Sequence, residues 1–402
     1  MKNLVKIVGL SAVVASVVYG GGYRIPEQSA SSVALSGAYI ANSSGASASY
    51  YNPANMSFNK NQTDMEVSLM HIGLTKIKYT DNNGVAANDG KSKAESFIVP
   101  TLFISTKDYA GIGLRYGLSI TVPGGLSKRW DSPTQKASAE EFTLEVVELN
   151  PTVSYKINEQ FAVGGGLRVV KTDGVVKSSG GVSRDLTGDS IDYGYNLGAT
   201  YKPDETSNIS ATYRSNVDLT VEGDAKLYAG TALLYDDGAS VTVPLPAVST
   251  LAYSKSFGDT TVELNYDITH WSAYEELDFE YSSTVAAPLQ PFFDDPIDKS
   301  WEDTTAIRLG VTHKLNKKLT LMAGYAKDEN PVPEKTLGYE LPDSDATLYS
   351  LGANWVIDDK SSVGFGYLLD IKEKREVKND TIDGEFTDAK AHMMSFAYRT
   401  SF

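Results

Sequence analysis

The 402 residues include no cysteine, so a disulfide framework, a thiolate metal site and a cysteine nucleophile are all excluded. Histidine is scarce: His71, His270, His313 and His392 are the only four, and none stands at a metal-ligand spacing. Long apolar runs are missing too. The best, Ile7 to Val18, is 12 residues, where a spanning helix needs about 20. Positive charge is in short supply, with 36 Lys and Arg against 51 Asp and Glu and a net charge of -15. Such a chain repels a phosphate backbone, so nucleic acid is excluded as a partner.

What is present begins with an export signal. Lys2 and Lys6 precede the short apolar run, and the small Gly20 follows it. This reads as a cleaved signal over residues 1–20, with the mature chain starting near Gly21. An exported chain with no later hydrophobic helix is either soluble outside the cytoplasm or an outer-membrane barrel.

The strand pattern decides between them. In "TTVELNYDITH" one face carries Val262, Leu264, Tyr266 and Ile268, and the other Thr261, Glu263, Asn265 and Asp267. "DYGYNLGATY" and "SSVGFGYLLDI" repeat the period of two, the signature of a strand between two environments. A soluble sandwich would show the same alternation. Runs of ten or more residues exceed ordinary strands and suit a tilted strand crossing a bilayer.

Short polar breaks centre on Asp108, Glu159, Asp204, Asp259, Lys317 and Asp359, at intervals of 42 to 58 residues. Each interval holds two strands and one longer connection, as in "AKLYAGTALLYDDGAS" or "TVAAPLQPFFDDPIDKS". Six tight turns on one side and long connections on the other predict an all-β, antiparallel transmembrane barrel of about 14 strands. The chain ends on Phe402, with Tyr398, Phe396 and Met394 on the same face. Tyrosine leads the aromatics, 24 against 13 Phe and 4 Trp, as interfacial girdles require.

One stretch fits neither strand nor signal. "SYYNPANMSF", after some thirty residues rich in Ser, Ala and Gly, is too polar to span a membrane and too small-sided to build a core. With its neighbours, "GGYRIPEQSASSVALSGAYIANSSGASASYYNPANMSF" resembles the hatch of the FadL family of outer-membrane transporters for long-chain fatty acids and other hydrophobic compounds, including toluene and xylene channels. "YRSNVDLTVEGDAKL", "YDITHWSAYEELDFEY" and "GYAKDENPVPEKTLGYELPDSDATLYSLGANW" resemble further family blocks in their expected order. The connection "SSGGVSRDLTGDS" is shorter and more polar than the family's ligand-capturing groove implies.

The resemblance implies a hatch of residues 21–60, with Asn52, Pro53 and Ala54 as its motif, inside a barrel of residues 61–402. A lumen of about 14 strands is too wide for strand side chains to fill, and Pro53 favours a tight bend. It also implies passive uptake of a hydrophobic ligand across the lipopolysaccharide leaflet of a Gram-negative outer membrane, with lateral exit at a kinked third strand, here "GIGLRYGLSITVP" with Gly111, Gly113 and Gly117.

Apolar residues in outer connections, Leu227, Tyr228, Leu233, Leu234, Tyr235, Leu289, Phe292 and Phe293, are the expected capture surface. Arg115, Arg168, Arg214, Arg308 and Arg399 are expected to face the lumen, either to meet a ligand carboxylate or to pair with inward acids and clamp the hatch. Acid pairs such as Asp294 with Asp295 read as a solvated rim. No cofactor, metal or catalytic set is expected. The partners expected are ligand, membrane lipid and the barrel-assembly machinery, and the protein is expected to be a monomer. A water-filled porin and a lipid-facing esterase built around His392 are the alternatives.

Overall fold

In a computed structural model residues 21–402 are described; the predicted export signal lies outside them. Fourteen strands form a closed antiparallel barrel. In chain order they are β1 (Asp64–Leu74), β2 (Glu95–Ser105), β3 (Leu114–Arg129), β4 (Glu141–Lys156), β5 (Phe161–Ser179), β6 (Val182–Asp204), β7 (Ser207–Arg214 and Val217–Ala229) and β8 (Ala232–Leu245 and Ala247–Phe257). There follow β9 (Thr260–His270), β10 (Thr304–Lys314), β11 (Leu319–Asp328), β12 (Ala346–Val356), β13 (Ser361–Lys372) and β14 (Lys390–Ser401). β1 pairs with β14 from Asp64↔Ser401 to Leu74↔Ala391 and closes the ring. No helix among the described residues is long and apolar enough to cross a membrane.

Burial along the strands is inverted relative to a soluble protein. On β9, Leu264 and Tyr266 are 49% and 44% exposed, whereas Glu263, Asn265 and Asp267 are buried. On β14, Phe396 and Tyr398 face outward while Ser395 and Ala397 are buried. Apolar-out, polar-in alternation is stable only where hydrocarbon surrounds the barrel. All six predicted tight turns fall between strands, at one end of the barrel.

At the other end two connections differ from expectation. β5 with β6, and β7 with β8, run on as long hairpins that turn at Gly180–Gly181 and Gly230–Thr231. "AKLYAGTALLYDDGAS" is therefore strand almost throughout and not a loop. Period-two alternation continues through it with polar residues on the solvent side, which in sequence reads as a loop.

The N-terminal segment spans the inside of the ring. Helix α1 (Ala30–Ala34) packs on β12, β13 and β14, while the 3-10 turn Pro53–Phe58, which follows helix α2 (Ala48–Tyr51), packs on β4, β5 and β6 across the barrel. The fit is close: a Cβ on Gly366 of β13 would lie 2.4 Å from the Ala30 carbonyl oxygen. Small residues are what this passage accommodates.

Candidate functional site

Charge holds the segment. Arg308 on β10 is fully buried and ion-pairs with Asp267 and Asp328 at 2.7 Å and with Glu27 of the segment at 3.4 Å, and it donates to the Ser36 carbonyl. Arg399 on β14 binds Glu66 at 2.9 Å and reaches Ser31 Oγ at 3.1 Å. Arg168 and Arg214 share the buried Glu148, with the Arg214 guanidinium 4.3 Å above the Tyr50 ring. Arg115 donates to the carbonyls of Asn59 and Lys60. All five predicted arginines thus face inward, and all are engaged with the segment or with inward acids.

Glu263 on β9 adds a cap: its carboxylate accepts from the backbone N–H groups of Ile40, Ala41 and Asn42 at 2.5, 2.8 and 2.8 Å. Glu263→Leu should orphan the buried Ala41 donor, at about 1–3 kcal/mol, and the part-buried donors of Ile40 and Asn42. Hydrogen exchange at Ala41 and Asn42 is expected to speed up at least about tenfold, while the β-ladder amides stay protected. Unchanged exchange at these two amides would refute the cap.

The Asn-Pro-Ala motif makes a bend. Asn52 Oδ1 accepts from the Ala54 N–H at 3.2 Å, and its amide donates to Thr200 Oγ1 of β6 at 2.8 Å. Pro53 occupies the first turn of the 3-10 helix, where its missing N–H costs nothing. Asn55, just after, donates to Ile40 O and Ser43 Oγ, both at 2.9 Å. One short motif so ties both arms of the segment to the wall.

The wall is incomplete between β2 and β3. They share four rungs, Leu102↔Ile120 to Ser105↔Gly117, and none above. β3 bulges between Thr121 and Gly124, where Pro123 has no N–H to give. The N-terminal segment takes the missing neighbour's place. Ile25 N donates to Pro123 O and Gly125 N to Tyr23 O, both at 2.9 Å, while the Gln28 side chain bonds both the N–H and the C=O of Val122. The outer end is closed by Arg129 on β3 with Glu95 on β2, at 2.6 Å. Ile25, Phe97, Val99 and Val122 form part of one apolar cluster behind this window.

The glycines expected to create the interruption do not. Gly111 and Gly113 lie in the turn before β3, with φ of +72° and +79°, and Gly113 N donates to the Asp108 carboxylate. Their task is the left-handed turn backbone. Gly117 is in β3 but on a paired rung, and a Cβ there would lie 2.7 Å from Met56 Sδ; it admits the N-terminal segment.

The outer mouth is packed with aromatic rings. Tyr23 sits 4.7 Å from Trp271, which with Tyr274 lies 4.9 Å from Trp301. Beside them is an open cleft of about 420 Å³ walled by Phe142, Leu277, Phe279, Leu337, Tyr339 and Arg184 among others. Phe142 and Glu340 continue into a small cavity of about 20 Å³ at Tyr23 and Trp301, and Leu341 links that to another of about 30 Å³ between Leu74 of β1 and Lys128 of β3. The series runs from the mouth toward the window. Burial works to raise the Glu340 carboxyl, but the Lys299 ammonium at 2.5 Å holds it below the usual carboxylate range.

The predicted capture residues are not in this cleft. Leu227 and Tyr228 are strand residues of β7, with Leu227 fully buried, and Tyr235 meets Tyr281 edge to face at 5.1 Å. Leu289 and Phe293 are buried, while Leu233, Leu234 and Phe292 are exposed outside the cleft. The residues that do line it come from five separate connections and strand tips, so no local apolar run marks them.

One constellation had no sequence signal. On β8 and β9, Ser249 Oγ lies 3.1 Å from His270 Nε2, whose Nδ1 is 3.2 Å from Asp303. Ser249 is in regular ladders with Ile268 and Tyr213 on both sides, which leaves no free backbone N–H to stabilise an oxyanion. His392 meets the Tyr367 hydroxyl instead of a serine. Among the described residues no cluster is suited to a metal ion.

A barrel that is apolar outside, polar inside and threaded by its own N-terminal segment defines an outer-membrane transport barrel rather than a soluble β protein. The chain belongs to the family described as outer membrane protein transport protein (OMPP1/FadL/TodX), whose model matches residues 11–402. It is 24% identical over 329 residues to outer membrane protein P1 of Haemophilus influenzae, covering 72% of this chain and 70% of that one. It is 25% identical over 333 residues to the long-chain fatty acid transport protein of Escherichia coli O6:H1, covering 72% of each. Among solved structures, a Pseudomonas aeruginosa FadL homologue superposes with a TM-score of 0.82 at 19% identity, over 95% of this chain and 99% of that one. The Pseudomonas putida toluene transporter TodX superposes with a TM-score of 0.71 at 20% identity, over 93% and 98%.

Proposed function

We propose that this protein carries hydrophobic compounds, such as long-chain fatty acids or aromatic hydrocarbons, passively inward across the outer membrane. Residues 21–60 act as its hatch, residues 61–402 as the barrel, and the window between β2 and β3 as the lateral exit. The observation that carries this reading is that β3 leaves β2 after four rungs and bonds to residues 23–28 instead. A ligand meeting that place faces an apolar cluster and a removable segment; a second break in the ring, between Asn196↔Arg214 and Asp189↔Glu222 of β6 and β7, is lined by the buried Arg168, which donates to the Ser215 carbonyl, and offers no such apolar path. The protein works as a monomer, seated by the barrel-assembly machinery, with surrounding lipid as its other partner.

Cells carrying the protein should accumulate a radiolabelled fatty acid or toluene faster than cells lacking it, in proportion to the external concentration. No difference, together with steady ion conduction by the purified protein, would replace this reading with a porin.

The protein is not an enzyme on this reading. Ser249 is held in ladders on both sides, so its own backbone N–H is not free to form an oxyanion hole; p-nitrophenyl butyrate should not be hydrolysed above background and Ser249→Ala should change nothing. Covalent labelling of Ser249 by a fluorophosphonate would reverse this.

A further inference from the structure

The outer rim sorts its charges by side, in a chain whose net charge is -15. On the flank of β7 to β9, Asp218, Glu275, Glu276, Asp278 and Glu280 line an open cleft whose walls include no basic residue. Across the ring, above β1 and β2, stand lysines. β1 is 11 residues long, enough to cross a bilayer, and Lys76 follows its outer end by two positions. The chain then enters a small four-stranded sheet, in which Lys78–Asp81 pairs with Gly90–Lys91 and with Asp383–Thr387. The inner face of this sheet packs on the mouth: Ile77 and Tyr79 are buried, and Tyr79 meets Tyr339 edge to face at 5.2 Å. The outer face sets Lys78 directly across from Lys91. Hydrogen bonds from Ser92 N to Ile77 O and from Ile77 N to Ser92 Oγ, both at 2.9 Å, carry the register on and place Lys76 beside Lys93. All four lysines are exposed.

Like charges directly across a ladder repel, and here two such pairs are stacked. The protein supplies little to offset them. Lys93 has a solvent-exposed pair with Asp131 at 3.1 Å, a kind that contributes little. Asp89 accepts from the Asp81 N–H, and Glu385 is paired with Lys374. Among the described residues Lys76, Lys78 and Lys91 have no ion-pair partner. Four cations just beyond the outer end of a bilayer-crossing strand stand at the depth of the lipid headgroups. Lysine binds phosphate as a point charge, and an anionic lipid surface attracts such clusters.

We propose that Lys76, Lys78, Lys91 and Lys93 form a binding site for the phosphates of outer-leaflet lipopolysaccharide, beside the β1–β14 seam. This does not rest on the transport reading and goes beyond it: the lipid bound here is a neighbour of the barrel and not its cargo.

The test is native mass spectrometry of the full chain in detergent, titrated with diphosphoryl lipid A, dephosphorylated lipid A and phosphatidylglycerol. The wild type should bind diphosphoryl lipid A at least about tenfold more tightly than either of the others. Lys76→Gln, Lys78→Gln, Lys91→Gln and Lys93→Gln made together should erase that preference. The same change at Lys314, Lys317, Lys318 and Lys360, by the tight turns at the other end of the barrel, should keep it. Equal binding of lipid A with and without its phosphates by the wild type overturns the inference. So does a preference that survives in the rim variant, or one lost equally in the turn variant, since charge alone would then be enough. Phosphatidylglycerol bound as tightly as diphosphoryl lipid A would also overturn it, by making the site one for any anionic lipid. The comparison of lipids within the wild type decides the matter even where a variant assembles poorly, which heat-modifiable migration would show.

Discussion

Removing residues 29–48 should give a barrel that conducts ions steadily in planar bilayers, where the full chain is nearly silent, and that still resists heat in detergent. The two halves of this expectation have separate causes. Heat resistance comes from the closed ladder, including the β1–β14 seam, to which these residues contribute no rung. Silence comes from a segment that passes from β13 on one side of the lumen to β5 on the other. The deletion also takes away the backbone donors that Glu263 caps and the Ser31 contact of Arg399, leaving a lumen lined by charges that attract water and ions. A heat-resistant deletion barrel that stays silent would show that the segment is not what fills the lumen.

The second large effect is expected at the wall. With no native cysteine in the chain, a pair introduced as Val99→Cys and Pro123→Cys would stand on the two margins of the window, three positions beyond the last shared rung. Bridging them with a cleavable bifunctional thiol reagent should reduce uptake of a labelled fatty acid by about tenfold or more and should leave ligand binding at the outer cleft intact. Cleaving the bridge should restore uptake in the same cells, which separates closure from misassembly. Full uptake while the bridge is in place would move the exit to the periplasmic end of the lumen. Valine at Gly113 and Gly117 is a poor substitute for this test. The first would strain a turn with φ of +79° and the second would strike Met56, so neither probes the window.

The barrel was legible because hydrocarbon outside and polar groups inside impose period two on every strand, and because six turns must be short where strands meet on the periplasmic side. The five arginines were legible by the same parity. Their partners Glu27, Glu66, Glu148 and Asp328 were not singled out, since a buried carboxylate and a solvated one look alike in sequence. The window was expected at the third strand for the wrong residues. Glycine spacing suggested weakness, but what interrupts the ladder is Pro123, the bulge beside it and the competing backbone of residues 23–25. The cleft was missed because Arg184, Phe142, Leu277 and Tyr339 are brought together only by the meeting of distant connections.

The polar contacts that seat the N-terminal segment also make it depend on strands far apart in the chain. Residues 27 to 42 stand near one end of the described chain, yet the groups that receive them, Glu263, Arg308 and Arg399, lie on β9, β10 and β14. Until β14 has met β1 the receiving set is scattered along an unclosed sheet. The complete set of groups that seats this segment therefore exists only in the joined ring.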